Sequence, residues 1–123
     1  MVRNLLESFL QVSLLYDFYG ALLTDKQRKC IEMHFLNDFS LSEIADEFGV
    51  SRQAIYDIIN RTRQMLVDYE EKLGLVRRYQ TEQECIQDIF SIMKNLPDDI
   101  KKKYQLEIVI HKLSSLISDD KEE

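Results

Sequence analysis

The chain has 123 residues, 45% of them hydrophobic, and a formal net charge of −6. This length and hydrophobic content suit one compact domain or one domain with a helical extension, and they exclude a wholly disordered protein. Only three glycines and one proline are present, which argues against a β-sandwich or barrel with many tight turns. No apolar run reaches the ~18 to 20 residues of a membrane-spanning helix, so we expect no membrane insertion.

A cytoplasmic protein is expected from the N-terminus and from the cysteines. Glu7 and Asp17 interrupt the apolar residues at the N-terminus, and no small-residue cleavage site follows, which argues against a signal peptide. Cys30 and Cys85 are far apart, and neither belongs to a C-x-x-C pair. We therefore predict two buried, reduced thiols.

The first 50 residues are predicted to form three helices, because apolar residues recur at helical spacing and no alternating stretch predicts a strand. An N-terminal packing helix covers about residues 4–21, and Thr24 caps a second helix that ends near Asn37. Residues 40–43, Ser-Leu-Ser-Glu, match a capping box and open a short third helix that ends at Gly49. The apolar surface of the first helix comprises Leu5, Leu6, Phe9, Leu10, Ser13, Tyr16 and Phe18.

Ser51 is expected to cap a fourth helix that continues to about Leu73. Gly74 either ends this helix or lies inside a longer one at a cost of ~1 kcal/mol. A second capping-box match at residues 81–84 favours a break between residues 74 and 81.

Residues 41–60, LSEIADEFGVSRQAIYDIIN, match a helix-turn-helix unit that extends to about residue 65. Two helices that cross at a steep angle need a small residue at the crossing, which Ala45 supplies. The sharp turn between them favours a positive φ, which Gly49 tolerates. Apolar residues at the expected spacing close a miniature core: Ile44, Phe48, Val50, Ile55 and Ile58.

The fourth helix is predicted to be the recognition helix of this unit. Arg52 and Gln53 lie in its first turn, where such a helix meets base edges; arginine suits guanine and glutamine suits adenine. Ser51, Arg61 and Arg63 are better placed for phosphates. At 100° per residue, the inward residues are Ile55, Ile58, Ile59, Thr62 and Leu66, and the outward ones are Gln53, Tyr56, Asp57, Asn60, Arg63 and Gln64.

Asp57 disagrees with DNA binding, because a carboxylate on the outward face repels phosphate. We expect it to pair with Arg61 one turn later rather than to accept a hydrogen bond from cytosine. A solvated polar face without a binding role is the alternative, above all for Asn60 and Gln64. The predicted DNA-binding residues are Ser51, Arg52, Gln53, Tyr56, Asn60, Arg61 and Arg63.

Only the middle of the chain carries a net positive charge. Residues 51–78 carry six basic and four acidic side chains, whereas the segments before and after them are net acidic. The positive segment contains the predicted recognition helix, as DNA binding requires, although its excess is small.

The C-terminal part is predicted to be a helical extension with helices at about residues 82–95 and 98–117, separated by Pro97. The charged tail at residues 118–123 is expected to fray. The two helices carry more apolar surface than one helix-turn-helix domain can cover, which predicts a homodimer held by the extensions. The alternative is an extension that folds back and buries its apolar face within one chain.

The sequence contains no catalytic or metal-binding pattern. His34 and His111 have no Cys, His or acidic partner at ligand spacing. No nucleophile lies beside a base in a suggestive pattern, and no glycine loop could hold a phosphate. We expect neither an enzyme nor a cofactor or metal.

Residues 24–66 resemble region 4 of bacterial sigma factors, the module that reads the −35 promoter element. Together with LYDFYGALLT at residues 15–24 and VDYEEKL at residues 67–73, the sequence resembles the YlxM family of small bacterial proteins. Genes of that family lie beside those of the signal recognition particle GTPase and its receptor. The resemblance therefore implies a helix-turn-helix regulator linked to that pathway.

The sigma factor pattern places Arg52 and Gln53 at base-contacting positions. It has basic or amide side chains where this chain has Tyr56 and Asp57. The chain also lacks the other sigma regions, which bind core polymerase and melt DNA.

The sequence as a whole predicts an all-α fold. A sigma region 4-like helix-turn-helix domain at residues 1–73 is followed by the extension at residues 74–117. The expected function is DNA-binding regulation by a homodimer, with signal recognition particle components as candidate partners. The alternative, favoured by the net acidity and by Asp57, is a non-enzymatic adaptor that binds a protein-targeting component or RNA with the same scaffold.

Overall fold

In the computed structural model, the backbone is described for residues 2–117 and the side chains for residues 9–117. The described backbone consists of helices joined by short turns and contains no strand, which confirms the predicted all-α fold. The tail predicted to fray, residues 118–123, lies outside this part of the chain. The helices are α1 (Val2–Tyr19), α2 (Asp25–Ile31), α3 (Leu41–Phe48), α4 (Arg52–Leu73), α5 (Leu75–Lys94), α6 (Asp98–Lys103) and α7 (Leu106–Leu116), with a 3₁₀ turn at Gly20–Leu22.

The chain divides into two units, residues 1–76 and residues 77–123. In the first unit α4 packs against α1, α2 and α3, so it is the central helix. The apolar core of this unit supplies most of the stability of its helices, since isolated helices of these lengths are marginal in water. The buried apolar residues are Val12, Leu15, Tyr19, Leu23, Cys30, Ile31, Ile44, Ala45, Ile55, Ile59, Leu66 and Val76.

Side-chain caps fix the starts of α2 and α4, as predicted. The Thr24 hydroxyl accepts from the Gln27 N–H at 3.2 Å, and the Gln27 side chain accepts from the Thr24 N–H at 3.0 Å. The Ser51 hydroxyl accepts from the Ala54 N–H at 3.0 Å. Each of these N–H groups has no partner within its own helix, so each cap stabilises a helix start.

The face that α1 buries is not the predicted one. Its core residues are Val12, Leu15 and Tyr19, whereas Leu10 is 63% exposed. Apolar residues cover more than one side of this helix, so helical periodicity alone does not determine which side is buried. Of the other residues predicted for the apolar surface, Phe9, Ser13, Tyr16 and Phe18 are half-buried, and the side chains of Leu5 and Leu6 lie outside the described residues.

The second helical segment ends at Leu36, as predicted to within a residue, but its last turn is not α-helical. α2 ends at Ile31, and Glu32–Leu36 form a π-helical turn. The ring of Phe35 in this wider turn lies 4.9 Å, between centroids, from the ring of Phe9 on α1. We attribute the departure from α-helical bonding to this packing against α1, which the local sequence does not encode.

Gly74 ends α4, which confirms one of the two alternatives for this residue. It adopts φ +62°, and its N–H donates to the Glu70 carbonyl at 2.8 Å, as in a left-handed C-terminal cap. α5 then begins at once at Leu75. The helix start predicted at residues 81–84 is therefore wrong, because these residues lie inside α5.

Side chains from α1 and α4 cap the N-terminus of α5. The Tyr19 hydroxyl accepts from the Leu75 N–H at 3.1 Å and donates to the Glu70 carboxylate at 2.6 Å. The same carboxylate oxygen accepts from the Val76 N–H at 3.0 Å. Because these caps come from distant parts of the chain, the local sequence carries no signal for the start of α5.

The second unit contains most of α5 together with α6 and α7, and it buries far less. No described side chain among residues 77–117 is fully buried. The single helix predicted at residues 98–117 is wrong, because Gln105 adopts φ +56° and separates α6 from α7 without a glycine to signal the break. Cys30 is buried as predicted, but Cys85 is exposed because it lies on the solvent side of α5.

Candidate nucleic-acid interface

A sharp turn joins α3 to α4, as a helix-turn-helix unit requires. Gly49 adopts φ +67°, and its N–H donates to the Asp46 carbonyl at 3.3 Å. The Val50 N–H donates to the Ala45 carbonyl at 3.1 Å, which completes a Schellman motif at the end of α3. A Cβ at Gly49 would meet no atom within 4 Å, so the backbone conformation, and not lack of space, favours glycine here.

The crossing of α3 and α4 is closed as the sequence predicts. Ser40 and Glu43 form the capping box at the start of α3, with N–H to oxygen distances of 3.1 and 2.8 Å. Ala45 is 4% exposed, and both Ile44 and Ile55 are fully buried. The other predicted members of this small core, Phe48, Val50 and Ile58, are partly buried against it.

One side of α4 is held rigidly in the core. Ile55, Ile59, Thr62 and Leu66 are buried, which confirms four of the five predicted inward residues; Ile58 is partly buried. A helix packed along this length presents its opposite side in a fixed orientation, which recognition of a groove requires.

The outward side of α4 carries most of the predicted DNA-binding side chains. Arg52 and Gln53 are exposed in the first turn, next to the exposed cap Ser51. Tyr56 is 48% exposed, although an aromatic ring of this size gains from burial. The remaining exposed residues of this side are Asp57, Asn60, Arg61 and Gln64.

Arg63 differs from the prediction that it faces outward, because it is half-buried. It follows Ile59 by one helical turn, and this spacing places it at the edge of the buried side of α4. Its guanidinium is therefore less available to a phosphate than that of the exposed Arg61.

Intrahelical hydrogen bonds already engage part of the outward side. The Gln53 amide donates to the Asp57 carboxylate at 3.0 Å, so the predicted Asp57–Arg61 pair is not the contact that Asp57 makes. The helix permits contacts one turn in either direction, and here the amide on the preceding turn provides the partner. Gln64 donates to Asp68 in the same way, also at 3.0 Å.

The exposed side of α3 is acidic, which the sequence analysis missed. Glu43, Asp46 and Glu47 are all exposed on this eight-residue helix. The first helix of a helix-turn-helix unit crosses the phosphate backbone when the second enters the groove. These carboxylates therefore weaken binding to any phosphate backbone in that geometry; counting charges helix by helix would have shown this.

Among the described side chains, those of residues 9–117, no group of three or more His, Cys, Asp or Glu is arranged to hold a metal ion. Within residues 2–117, no helix is long and apolar enough to cross a membrane.

Comparison with known proteins yields one family match. The profile of the family described as "Putative helix-turn-helix protein, YlxM / p13 like" matches residues 6–109, which is most of the chain. The matched region includes the whole of the α3–turn–α4 unit and extends into α7.

Individual relatives are similar over most of their own length. The YlxM protein of Bacillus subtilis is 42% identical over 111 residues, which cover 90% of this chain and 97% of the relative. A member of the same family from Geobacillus kaustophilus is 47% identical over 100 residues, or 81% of this chain and 84% of the relative. Another, from Halalkalibacterium halodurans, is 51% identical over 85 residues, or 69% and 78% of the two chains.

Proposed function

Because the chain belongs to the YlxM/p13-like family of helix-turn-helix proteins, we propose that it is a regulatory protein that binds duplex DNA with the outward side of α4. Arg52 and Gln53 contact base edges in the major groove, and Arg61 contacts a phosphate. Ser51, Tyr56 and Asn60 contribute further contacts from the same side, and Arg63 contributes only from its exposed edge.

The proposal rests on the contrast between the two sides of α4. One side, its back, is held rigidly in the core, and the opposite side, its front, is polar and exposed. The back of α4 is buried against three helices, and its front exposes a guanidinium, amides and a phenol in the first three turns. An exposed polar face alone is common on helices. Its position directly after a Schellman turn and a serine cap, at the start of a long buried helix, is typical of recognition helices.

The proposal also assigns a local rearrangement to Gln53. To bind adenine with its amide oxygen and one N–H, Gln53 turns from the Asp57 carboxylate toward the base. Asp57 is then free to accept from a cytosine N4 amine, so the two side chains can read adjacent bases together. Without a suitable base pair, the Gln53–Asp57 bond is retained.

The proposal is tested by selecting bound duplexes from a random-sequence pool. Binding of the selected duplexes and of random-sequence duplexes is then measured at about 50 and about 200 mM salt. Arg52→Ala should lower the preference for selected over random sequence by ~1 to 3 kcal/mol, whereas Arg61→Ala should weaken both alike and reduce the salt slope. Lys72→Ala is the matched control, since Lys72 is an exposed basic residue on α4 outside the motif. Absence of binding at 50 mM salt, or equal losses for Arg52→Ala and Lys72→Ala, would contradict the assignment.

A second candidate function is a non-enzymatic adaptor that uses the same scaffold to bind a protein-targeting component or RNA. The acidic side of α3, with Glu43, Asp46 and Glu47, favours this alternative because it repels a DNA backbone. The partner would be a component of the signal recognition particle, as the gene neighbourhood of the family implies. Reversing Asp46 and Glu47 to Lys distinguishes the two functions: it should strengthen DNA binding, whereas binding of a basic protein partner to α3 should be lost.

We also propose that the protein acts in the cytoplasm as a homodimer. Two recognition helices about 34 Å apart can occupy successive major grooves on one side of the duplex, which doubles the contacts. Sedimentation equilibrium without DNA measures this directly. A mass of 14.6 kDa at tens of micromolar protein would rule the dimer out.

A further inference from the structure

α5 carries two apolar stripes, of which one has no cover. Ile86, Phe90 and Met93 are half-buried and form the side turned toward the rest of the second unit. Cys85, Ile89 and Ile92 recur at the same helical spacing but are exposed, Ile92 at 66%. A helix that faces a single neighbour needs only the first stripe.

α7 repeats this arrangement. Leu106, Ile110 and Leu113 form its half-buried side. Val109 and Leu116, seven residues apart and therefore on one line along the helix, are exposed at 40% and 57%.

The two exposed stripes lie on the same side of the second unit. α5 and α7 run antiparallel: the Gln83 amide near the start of α5 donates to the Leu116 carbonyl at the end of α7 at 3.0 Å, and Phe90 near the end of α5 lines one cavity with Glu107 near the start of α7. In each helix the exposed stripe is rotated from the half-buried one by roughly a quarter turn in the same sense, at 100° per residue. When two antiparallel helices face each other, stripes that are rotated from the facing sides by the same angle in the same sense lie on the same side of the helix pair. A cavity of about 380 Å³ between them is lined by Lys94 and Glu107, which are rotated in the opposite sense.

The stripes also match each other in spacing and in charge. Along α5, Asp88 borders the stripe between Cys85 and Ile92; along α7, Lys112 lies between Val109 and Leu116. In each helix the charged residue lies three residues after the first apolar residue and four residues before the second. Both Asp88 and Lys112 are exposed, and no ion pair of either is found with the described residues.

From these observations we propose that a second copy of this chain covers the stripes, with α5 of each copy packed on α7 of the other. A two-fold axis that lies in the plane of the interface, parallel to the helices and midway between them, brings α5 of one copy over α7 of its partner. Because α5 of one copy then runs antiparallel to α7 of the other, a single register pairs Cys85 with Leu116, Asp88 with Lys112, and Ile92 with Val109. The inference rests on the proposed homodimer but not on DNA binding.

This register is specific to self-association. Alone, the aliphatic patch would suit any apolar partner of several hundred Å². A matched pair of stripes, one with a carboxylate and the other with an ammonium at the equivalent position, is self-complementary under a two-fold axis, as an isologous interface must be. Packing α5 of one copy on α5 of the other would instead bring the two Asp88 carboxylates together, and they would repel each other.

Charge reversal tests the register, with dimer dissociation constants measured by sedimentation equilibrium on the full chain. Asp88→Lys and Lys112→Asp should each weaken the dimer about tenfold, since each change acts twice across the axis. The double variant should recover most of the parental affinity because the pair is restored with its charges exchanged. Ile92→Glu should weaken the dimer by about a hundredfold or more. Glu107→Lys is the control with the same change of charge on the opposite side of α7, and it should leave the dimer unchanged.

Alkylation of Cys85 provides a readout that does not depend on folding of a variant. Cys30 is 0% exposed and Cys85 is exposed, so a maleimide reports Cys85 in the natural chain. Its rate should fall as protein concentration rises through the dissociation constant. A dimer that retains rapid alkylation and is unaffected by the charge reversals would overturn the proposed surface while leaving the dimer. A monomer at tens of micromolar would overturn both and leave a different protein as the partner of this side.

Discussion

The two units of the chain are built from helices of similar composition but stabilise them in different ways. In residues 1–76, α4 is surrounded by three other helices, and side chains such as Ile31, Ile44 and Leu66 are completely buried. In residues 77–117, aliphatic side chains occur as often, yet none of those described is fully buried. Burial of apolar area is the largest favourable term in folding, so the first unit is expected to determine the stability of an isolated chain.

This contrast also separates the roles of the two units. The proposed DNA contact requires that α4 be held rigidly, and the core of the first unit does this. An open apolar side is costly in a free chain but becomes favourable once a partner covers it. In the proposed homodimer, the stability of the second unit should therefore depend on protein concentration in a way that the first unit's does not.

The largest expected effect tests the difference in burial directly. Leu66→Ala should lower the free energy of unfolding by ~2 to 5 kcal/mol, because it leaves a cavity at the centre of the first unit. Leu113→Ala, at a half-buried position in α7, should cost less than half as much in dilute protein. Leu10→Ala, at a position that is 63% exposed, is the surface control and should stay within ~0.5 kcal/mol of the parent. Urea unfolding followed by circular dichroism measures all three; equal costs for Leu66 and Leu113 would mean that the second unit has a core of its own.

Alkaline pH should weaken the first unit through two tyrosines. Burial, followed by the hydrogen bond to Glu32, raises the pKa of Tyr16 to about 12, and burial followed by the hydrogen bond to Glu70 raises the pKa of Tyr19. The folded state therefore favours the neutral phenols. Their contribution is fully present below pH 10, the value for an unfolded tyrosine, and is lost as the pH rises toward 12.

Urea titrations between pH 8 and pH 12 measure this effect. Tyr16→Phe and Tyr19→Phe should each flatten the fall in unfolding free energy, while Tyr104→Phe, at a position that is 61% exposed, should keep the parental slope. Burial also raises the pKa of Cys30, but all three variants retain that cysteine, so its contribution cancels from the comparison. A parental slope in both Tyr16→Phe and Tyr19→Phe would contradict the assignment.

The sequence was sufficient to predict the helix-turn-helix unit because its signals are local. The caps at Ser40 and Ser51, the small residue at Ala45 and the glycine at position 49 all act within one or two turns of where they occur. The same locality explains why the outward side of α4 was mostly predicted correctly, since a rotation of 100° per residue fixes it once the buried side is known.

The incorrect predictions are of two kinds. Some depend on contacts between residues far apart in the chain, and others concern positions where two local conformations or partners are equally compatible with the sequence. The start of α5 depends on Tyr19, which lies 56 residues before Leu75 in the chain, so a local capping box misled the prediction. The break at Gln105 occurs in a residue that has no special preference for a positive φ. Asp57 has a potential partner on each neighbouring turn of the helix, and nothing in the sequence indicates which of the two interactions is stronger. The roles of individual side chains toward DNA remain predictions for the binding measurements.

The smallest expected effect compares the two glycines that end α3 and α4. Both have positive φ, +67° at Gly49 and +62° at Gly74, and a Cβ at either would meet no atom within 4 Å. Alanine at each should therefore cost only the backbone term, about 1 kcal/mol, and asparagine should cost less because it tolerates this conformation. The two sites differ in the other conformations open to the variant. At Gly49→Ala we expect the sharp turn to be kept, whereas Gly74→Ala could join α4 and α5 into one straight helix. We expect the break to persist, because fusion would remove the caps that Tyr19 and Glu70 provide. Urea unfolding and far-ultraviolet circular dichroism of Gly74→Ala and Gly74→Asn check this; a gain in helix content in Gly74→Ala with no loss of stability would show that the glycine alone, and not the buried caps, separates the two helices.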